Sequence, residues 1–139
     1  MPTSLGELRR LQVLSLGSNE LTGTIPSEIG RLLALGKMTH SHYWPSLRLS
    51  PGQWHLTIPS GVTTATLSLF DNDLTGIIPD ELENLVSLNS LYLDNTLLGP
   101  SLPLGICNLA SLEDFWSDCD ELGGCDCCTT CCIDDVVCL

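Results

Sequence analysis

Residues 14–26 read LSLGSNELTGTIP, and residues 67–79 read LSLFDNDLTGIIP. With the first Leu of each stretch as position zero, apolar residues fall at zero, two, seven and eleven. Asn stands at five, Gly at nine and Pro at twelve. The first copy supplies Leu14, Leu16, Asn19, Leu21, Gly23, Ile25 and Pro26, and the second Leu67, Leu69, Asn72, Leu74, Gly76, Ile78 and Pro79. A third copy starts at Leu91, with Thr96 in the Asn slot and Pro100 in the Gly slot. A fourth starts at Leu47, with Gly52 and Leu56 in those slots, and a fading copy starts at Phe115. Upstream of three starts a Leu or Ile recurs every third residue: Leu5, Leu8, Leu11; Leu82, Leu85, Leu88; Ile106, Leu109, Leu112. The starts at 67, 91 and 115 are 24 residues apart. A fixed period of this length is the mark of a repeat architecture.

Each part of the unit has a physical reading. The L-x-L triplet alternates and predicts a short strand with both Leu turned inward. Asn19 and Asn72 are the expected turn residues, whose side chains bond backbone groups that the turn would leave unsatisfied. The spacing-three ladder suits a short helix or 3-10 turn behind the strand. One coil cannot bury its own leucines, so coils stack and share a core.

The pattern LxxLxxLxLxxNxLxGxIPxxIGxL resembles the plant-type leucine-rich repeat over about residues 2–124. The resemblance implies an α/β solenoid of about five repeats, one of them distorted. Parallel strands would line its concave face, short helical or 3-10 segments its back, and a second strand would mark the Gly and Ile-Pro flank. Pro2 stands twelve before Leu14, so the sequence opens inside a repeat and reads as the C-terminal piece of a longer protein or as a truncated gene model; the resemblance implies the C-terminal part of the ectodomain of a receptor-like protein or kinase. The expected organisation is a solenoid over 1–124, irregular at 37–66, and a cysteine-rich cap over 125–139.

The irregular interval departs from the period. Leu14 to Leu47 is 33 residues and Leu47 to Leu67 is 20. Residues 37–66 hold no Asp or Glu, yet hold His40, His42, His55 and two of the three Trp. A degenerate repeat with a surface loop, a ligand-binding excursion and a mis-spliced segment all remain open. His-x-His alone is a weak metal signal, and no carboxylate lies near it in sequence.

The net charge of −12 disfavours nucleic acid. No apolar run reaches the length of a membrane span, and MPTSLGELRR lacks the layout of a signal peptide. Cofactor motifs, phosphate loops and nucleophile elbows are missing, so the chain is read as a non-enzyme with no cofactor.

All eight cysteines lie in the last third: Cys107, Cys119, Cys125, Cys127, Cys128, Cys131, Cys132 and Cys138. An even count is compatible with full disulfide pairing, although connectivity is open. The tail resembles the disulfide-stapled cap that ends extracellular leucine-rich repeat proteins, which implies an oxidising compartment. Zinc at Cys128-x-x-Cys131 is the rival reading.

The strand register names the outward residues. One past zero come Ser15, Arg48, Ser68, Tyr92 and Trp116; three past zero come Gly17, Ser50, Phe70, Asp94 and Asp118. Asp71, Asn95 and Asp114 flank them. Phe70, Tyr92 and Trp116 with these acidic neighbours form an expected aromatic and acidic binding patch. Aromatic side chains anchor interfaces, and carboxylates select a basic partner. The expected function is protein or peptide binding on the concave face of a secreted or cell-surface recognition protein. A structural wall or matrix protein and a cysteine-rich metal-binding protein are the alternatives.

Overall fold

A computed structural model describes residues 1–35, 65–118, 127–133, 137 and 138, the last five of the tail (131–133, 137, 138) by backbone alone. The described strands are β1 (Val13–Ser15), β2 (Thr66–Ser68), β3 (Thr75–Gly76), β4 (Ser90–Tyr92), β5 (Leu97–Leu98), β6 (Asp114–Asp118), β7 (Thr130–Ile133) and β8 (Val137–Cys138). Between them lie 3-10 turns at Thr3–Glu7, Ser27–Arg31 and Asp80–Asn84, and one short helix, α1 (Leu104–Cys107). The main sheet has the order β1-β2-β4-β6-β7-β8. Its first five strands run parallel, and β8 turns back antiparallel to β7. This is the expected solenoid, with strands on the concave face and 3-10 turns behind.

The register follows the repeat: Leu14 pairs with Leu67, Leu67 with Leu91, and Leu91 with Phe115. These residues and the ladder leucines Leu32, Leu82, Leu85 and Leu88 form one buried core. Each 3-10 turn starts after a proline, at Pro2, Pro26 and Pro79. Proline pre-sets the backbone there and its missing N–H lies at a position without a helical partner. On the flank, β3 pairs with β5, and Gly23 bridges to Leu74. Gly23 and Gly76 have φ of 78° and 87°, a region open to glycine and strained for other residues.

The irregular interval has a specific register consequence. Strand β1 bonds directly to β2, so among the described residues no strand stands between them. Leu35 donates its N–H to the Leu32 carbonyl as Leu88 does to Leu85, and so fills the last ladder slot. Ala65 then sits two before Leu67, as Asn89 sits two before Leu91. Leu14 and Leu67 are 53 apart; without the 29 residues of 36–64 the difference is the regular 24. Among the described residues the period is therefore intact on either side of 36–64. The expected copy at Leu47, with Arg48 and Ser50, and the histidines His40, His42 and His55 lie outside the described residues.

Asn72 does the expected turn work and joins two coils. Its Oδ1 accepts from Leu21 N–H at 2.9 Å, and its Nδ2 donates to the carbonyls of Leu16 (2.9 Å), Leu69 and Phe70 (both 3.0 Å). The side-chain amide of Asn19, in the first coil, donates within its own turn, to the carbonyls of Leu16 and Gly17. In the tail, Cys107 of α1 is bonded to Cys127, and Cys128 is also in a disulfide. Thr129 Oγ1 accepts from Phe115 N–H at 2.8 Å and donates to the Phe115 carbonyl at 3.1 Å. The start of the tail thus lies against the last coil and extends its sheet. Cys119 and Cys125 lie outside the described residues, as do the side chains of Cys131, Cys132 and Cys138.

Asn72→Ala is expected to cost about 2–3 kcal/mol in chemical denaturation, because buried backbone groups of two coils lose their partner. Asn19→Ala, at an exposed turn, should cost about 1 kcal/mol or less. Replacing Cys107 and Cys127 by Ser opens a link across a sequence separation of 20 and should cost about 3 kcal/mol.

Candidate functional site

The outward strand positions form columns across the concave face, because parallel strands in register place like repeat positions side by side at about 4.8 Å. One column runs Ser15, Ser68, Tyr92, Trp116. It passes from small residues to large ones, and β7 continues it with Thr130 beside Trp116. Ser15 is exposed as expected, whereas Ser68 is buried at 4% exposure. Tyr92 and Trp116 meet edge to face, centroids 5.5 Å apart and planes at 90°. Trp116 keeps 37% of its surface exposed. An edge-to-face pair of this kind fixes two rings that have an open side.

The second column holds Gly17, Phe70, Asp94 and Asp118. The Phe70 ring lies over Gly17, where any Cβ would collide with it. A glycine is needed there for the close approach. Asp94 lies half-buried between neighbours from the adjoining coils. Its carboxyl is held above the ordinary range, first by desolvation, with repulsion from Asp118 and Asp71 adding; a backbone hydrogen bond pulls the other way. Its Oδ1 is buried and has no hydrogen-bond partner.

The other acidic residues are engaged. Asp118 accepts from the N–H groups of Asn95 at 2.8 Å and Thr96 at 3.0 Å. In the preceding coils these turn N–H groups bond backbone carbonyls of the next coil: Ser18 to Phe70, Asn19 to Asp71, Asp71 to Asp94, Asn72 to Asn95. The Asp118 carboxylate takes over that part of the ladder. The Thr96 side chain, in the Asn slot, stays within its own coil, where Oγ1 donates to the Leu93 carbonyl at 2.8 Å. Asp71 Oδ1 accepts from Asn95 Nδ2 at 2.9 Å. Asp71 and Asn95 both have positive φ, 53° and 51°. Asp114 is exposed at the other end of its strand, where Ser90 Oγ donates to it at 3.4 Å.

All eight expected patch residues therefore lie on or beside one face, but with different roles. Phe70, Tyr92, Trp116 and Asp94 present surface; Asp71, Asn95 and Asp118 mainly bond one another and the turns. Thr130 was not foreseen from the sequence, because the cysteine-rich tail carries no repeat pattern. The grooves found elsewhere are open: one of 340 Å³ on the flank beside Thr24, Ile77 and Pro79, another of 470 Å³ on the back beside Arg9, Arg31, Leu33 and Val86.

Residues 10–32 and 64–85 match the family model described as Leucine Rich Repeat. The fold is that of a leucine-rich repeat solenoid. Among solved structures, the solenoid is similar to the leucine-rich repeat ectodomain of the Arabidopsis thaliana membrane receptor kinase GASSHO1/SCHENGEN3, solved with CASPARIAN STRIP INTEGRITY FACTOR 2. Identity is 28% and TM-score 0.58, over 85% of this chain and 10% of that one. The Arabidopsis receptor kinase HAESA ectodomain, solved with an extended IDA peptide hormone, gives 28% and 0.59, over 85% of this chain and 15% of that one. A chain of the BIR3–SERK2 complex from Arabidopsis thaliana gives 29% and 0.60, over 85% of this chain and 50% of that one. The solenoid thus spans half or less of the length of these proteins. Comparison with curated proteins finds no match.

The raised Asp94 carboxyl has a stability consequence. Between its unfolded and folded pKa the native state holds the extra proton, so stability is fully present below the unfolded value and falls as pH rises through the folded one. Asp94→Asn should remove that fall. Its denaturation midpoint is expected to exceed the wild-type midpoint at neutral pH and to lose part of the slope just above the ordinary carboxylate range. A wild-type slope retained in Asp94→Asn would contradict the burial argument.

Proposed function

We propose that the concave face of this solenoid binds a protein or peptide partner that presents Lys or Arg at the contact. The observation that carries the reading is the Tyr92–Trp116 pair on a face whose neighbouring column holds Asp94. Two fixed aromatic rings supply contact area at low entropic cost, and the carboxylates supply selectivity for charge. The related ectodomain of HAESA is described with a peptide hormone, and SERK2 with BIR3, which supports a recognition role for the same architecture. The setting would be the outside of a cell or a secreted protein, as part of a longer chain; the disulfides of Cys107, Cys127 and Cys128 suit an oxidising compartment. A binding module rather than an enzyme is the reading, with neither nucleic acid nor membrane insertion by this segment. Among the described residues no helix is long and apolar enough to cross a membrane. Disulfide-bonded cysteines offer no thiolate to zinc, which weighs against the metal-binding alternative.

A random peptide library panned against the oxidised full chain tests the reading. Enriched peptides are expected to carry Lys or Arg, to bind saturably, and to weaken as salt rises. Trp116→Ala should lower their affinity by about tenfold or more. Peptides without basic enrichment, or insensitive to Tyr92→Ala and Trp116→Ala together, would overturn it. A structural matrix role would give no saturable ligand.

A further inference from the structure

We infer that the back of the solenoid is a second contact surface, and that its occupant is a second copy of this chain, packed back to back about a two-fold axis. This surface is separate from the concave sheet. One back slot directly follows the middle ladder residue of each coil. Along the stack it holds Arg9 after Leu8, Leu33 after Leu32, Val86 after Leu85 and Ala110 after Leu109. Leu33 keeps 50% of its surface exposed and Val86 64%. Two large apolar residues in one slot of successive back turns make a contiguous patch, which marks a contact more than scattered residues do. They form the apolar part of the 470 Å³ groove that crosses the three coils with 3-10 turns. Arg9 and Arg31 line this groove on the first two turns, Glu83 and Asn84 on the third.

Charge decides the occupant. The chain carries −12, so two copies repel on average, and a contact between them must use the few cations. Among the described residues these are Arg9, Arg10 and Arg31, all on or just after the first two back turns. The third turn carries Asp80, Glu81 and Glu83 and no basic residue. Arg9 has no ion pair among the described residues. Arg31 meets Glu7 at 3.8 Å with both side chains more than half exposed, a pair that contributes little. Glu28 lies against Gly6 and does not line the groove. A two-fold contact joins one patch to itself with the order of coils reversed. With the axis at the middle turn, Leu33 meets Leu33 of the second copy. The first coil of each copy then lies over the third coil of the other, so Arg9 faces Val86 and Glu83 of the second copy, twice over. The groove is thus self-complementary: apolar at its centre, basic at one end and acidic at the other. Both concave faces stay open. A contact of this size is small, so the dimer is weak.

The test is sedimentation velocity on the oxidised full chain from about 1 µM to about 1 mM, a range that covers weak association. The wild type should move from the 15.0 kDa monomer toward twice that mass. Arg9 and Glu83 are both exposed, so the fold should tolerate their exchange. Arg9→Glu and Glu83→Arg should each weaken the dimer by about tenfold. The double exchange should restore it to within about threefold of wild type. General repulsion would act otherwise: Arg9→Glu makes the chain more acidic and Glu83→Arg less, so the two would shift association in opposite directions. A monomer at every concentration overturns the inference and leaves the groove to an acidic partner of another kind. Single variants with opposite effects, or a double exchange that fails to restore the dimer, overturn it as well. A dimer that Trp116→Ala abolishes and the groove variants leave intact assigns association to the concave face and overturns the back-to-back contact.

Discussion

A single coil of this chain is one strand thick and has no second layer within itself to cover its leucines. Leu67, Leu82, Leu85, Leu88 and Leu91 are fully buried only because coils lie on either side. The stack is therefore the source of the core, and parallel hydrogen bonding at about 4.8 Å fixes how each coil must meet the next. Every other feature answers to that constraint. Asn72 bonds carbonyls and an N–H across two coils. Gly30 sits against the backbone of Glu81 where a side chain would not fit. Leu35 and Ala65 both stay in phase with the repeat, because a shift of one residue would turn the leucine of the next strand outward.

The same constraint builds the candidate site. Identical repeat positions become columns, so aromatic and acidic residues far apart in sequence stand shoulder to shoulder. Like charges in one column repel, and the molecule answers in three ways. Asp118 accepts hydrogen bonds from turn N–H groups, Asp71 takes the Asn95 amide, and Asp94 is partly withdrawn from water. The last response leaves an acceptor unsatisfied.

Much of this was legible in the sequence because the architecture is one-dimensional. Period fixes strand, turn and back segment, and register then names the outward residues, including Tyr92, Asp94 and Trp116. The triplet at Leu47 has the strand signature and lies outside the described residues, among which β1 bonds directly to β2. The role of Asp118 was hidden because it depends on what the next coil fails to supply. At the Asn95 and Thr96 N–H groups the Asp118 carboxylate stands where backbone carbonyls serve the earlier turns. Thr129 and the pairing of Cys107 with Cys127 were hidden as well, since the tail has no period and many connectivities fit its spacing.

Amide hydrogen exchange on the oxidised chain, free and saturated with a peptide selected for binding, probes the concave face most directly. Slowed exchange is expected on the coil segments around 66–71, 90–96 and 114–118, with the back turns 27–31 and 80–84 unchanged. Protection confined to those back turns or to the flank at 75–77 and 97–99 would contradict the assignment of binding to the concave sheet.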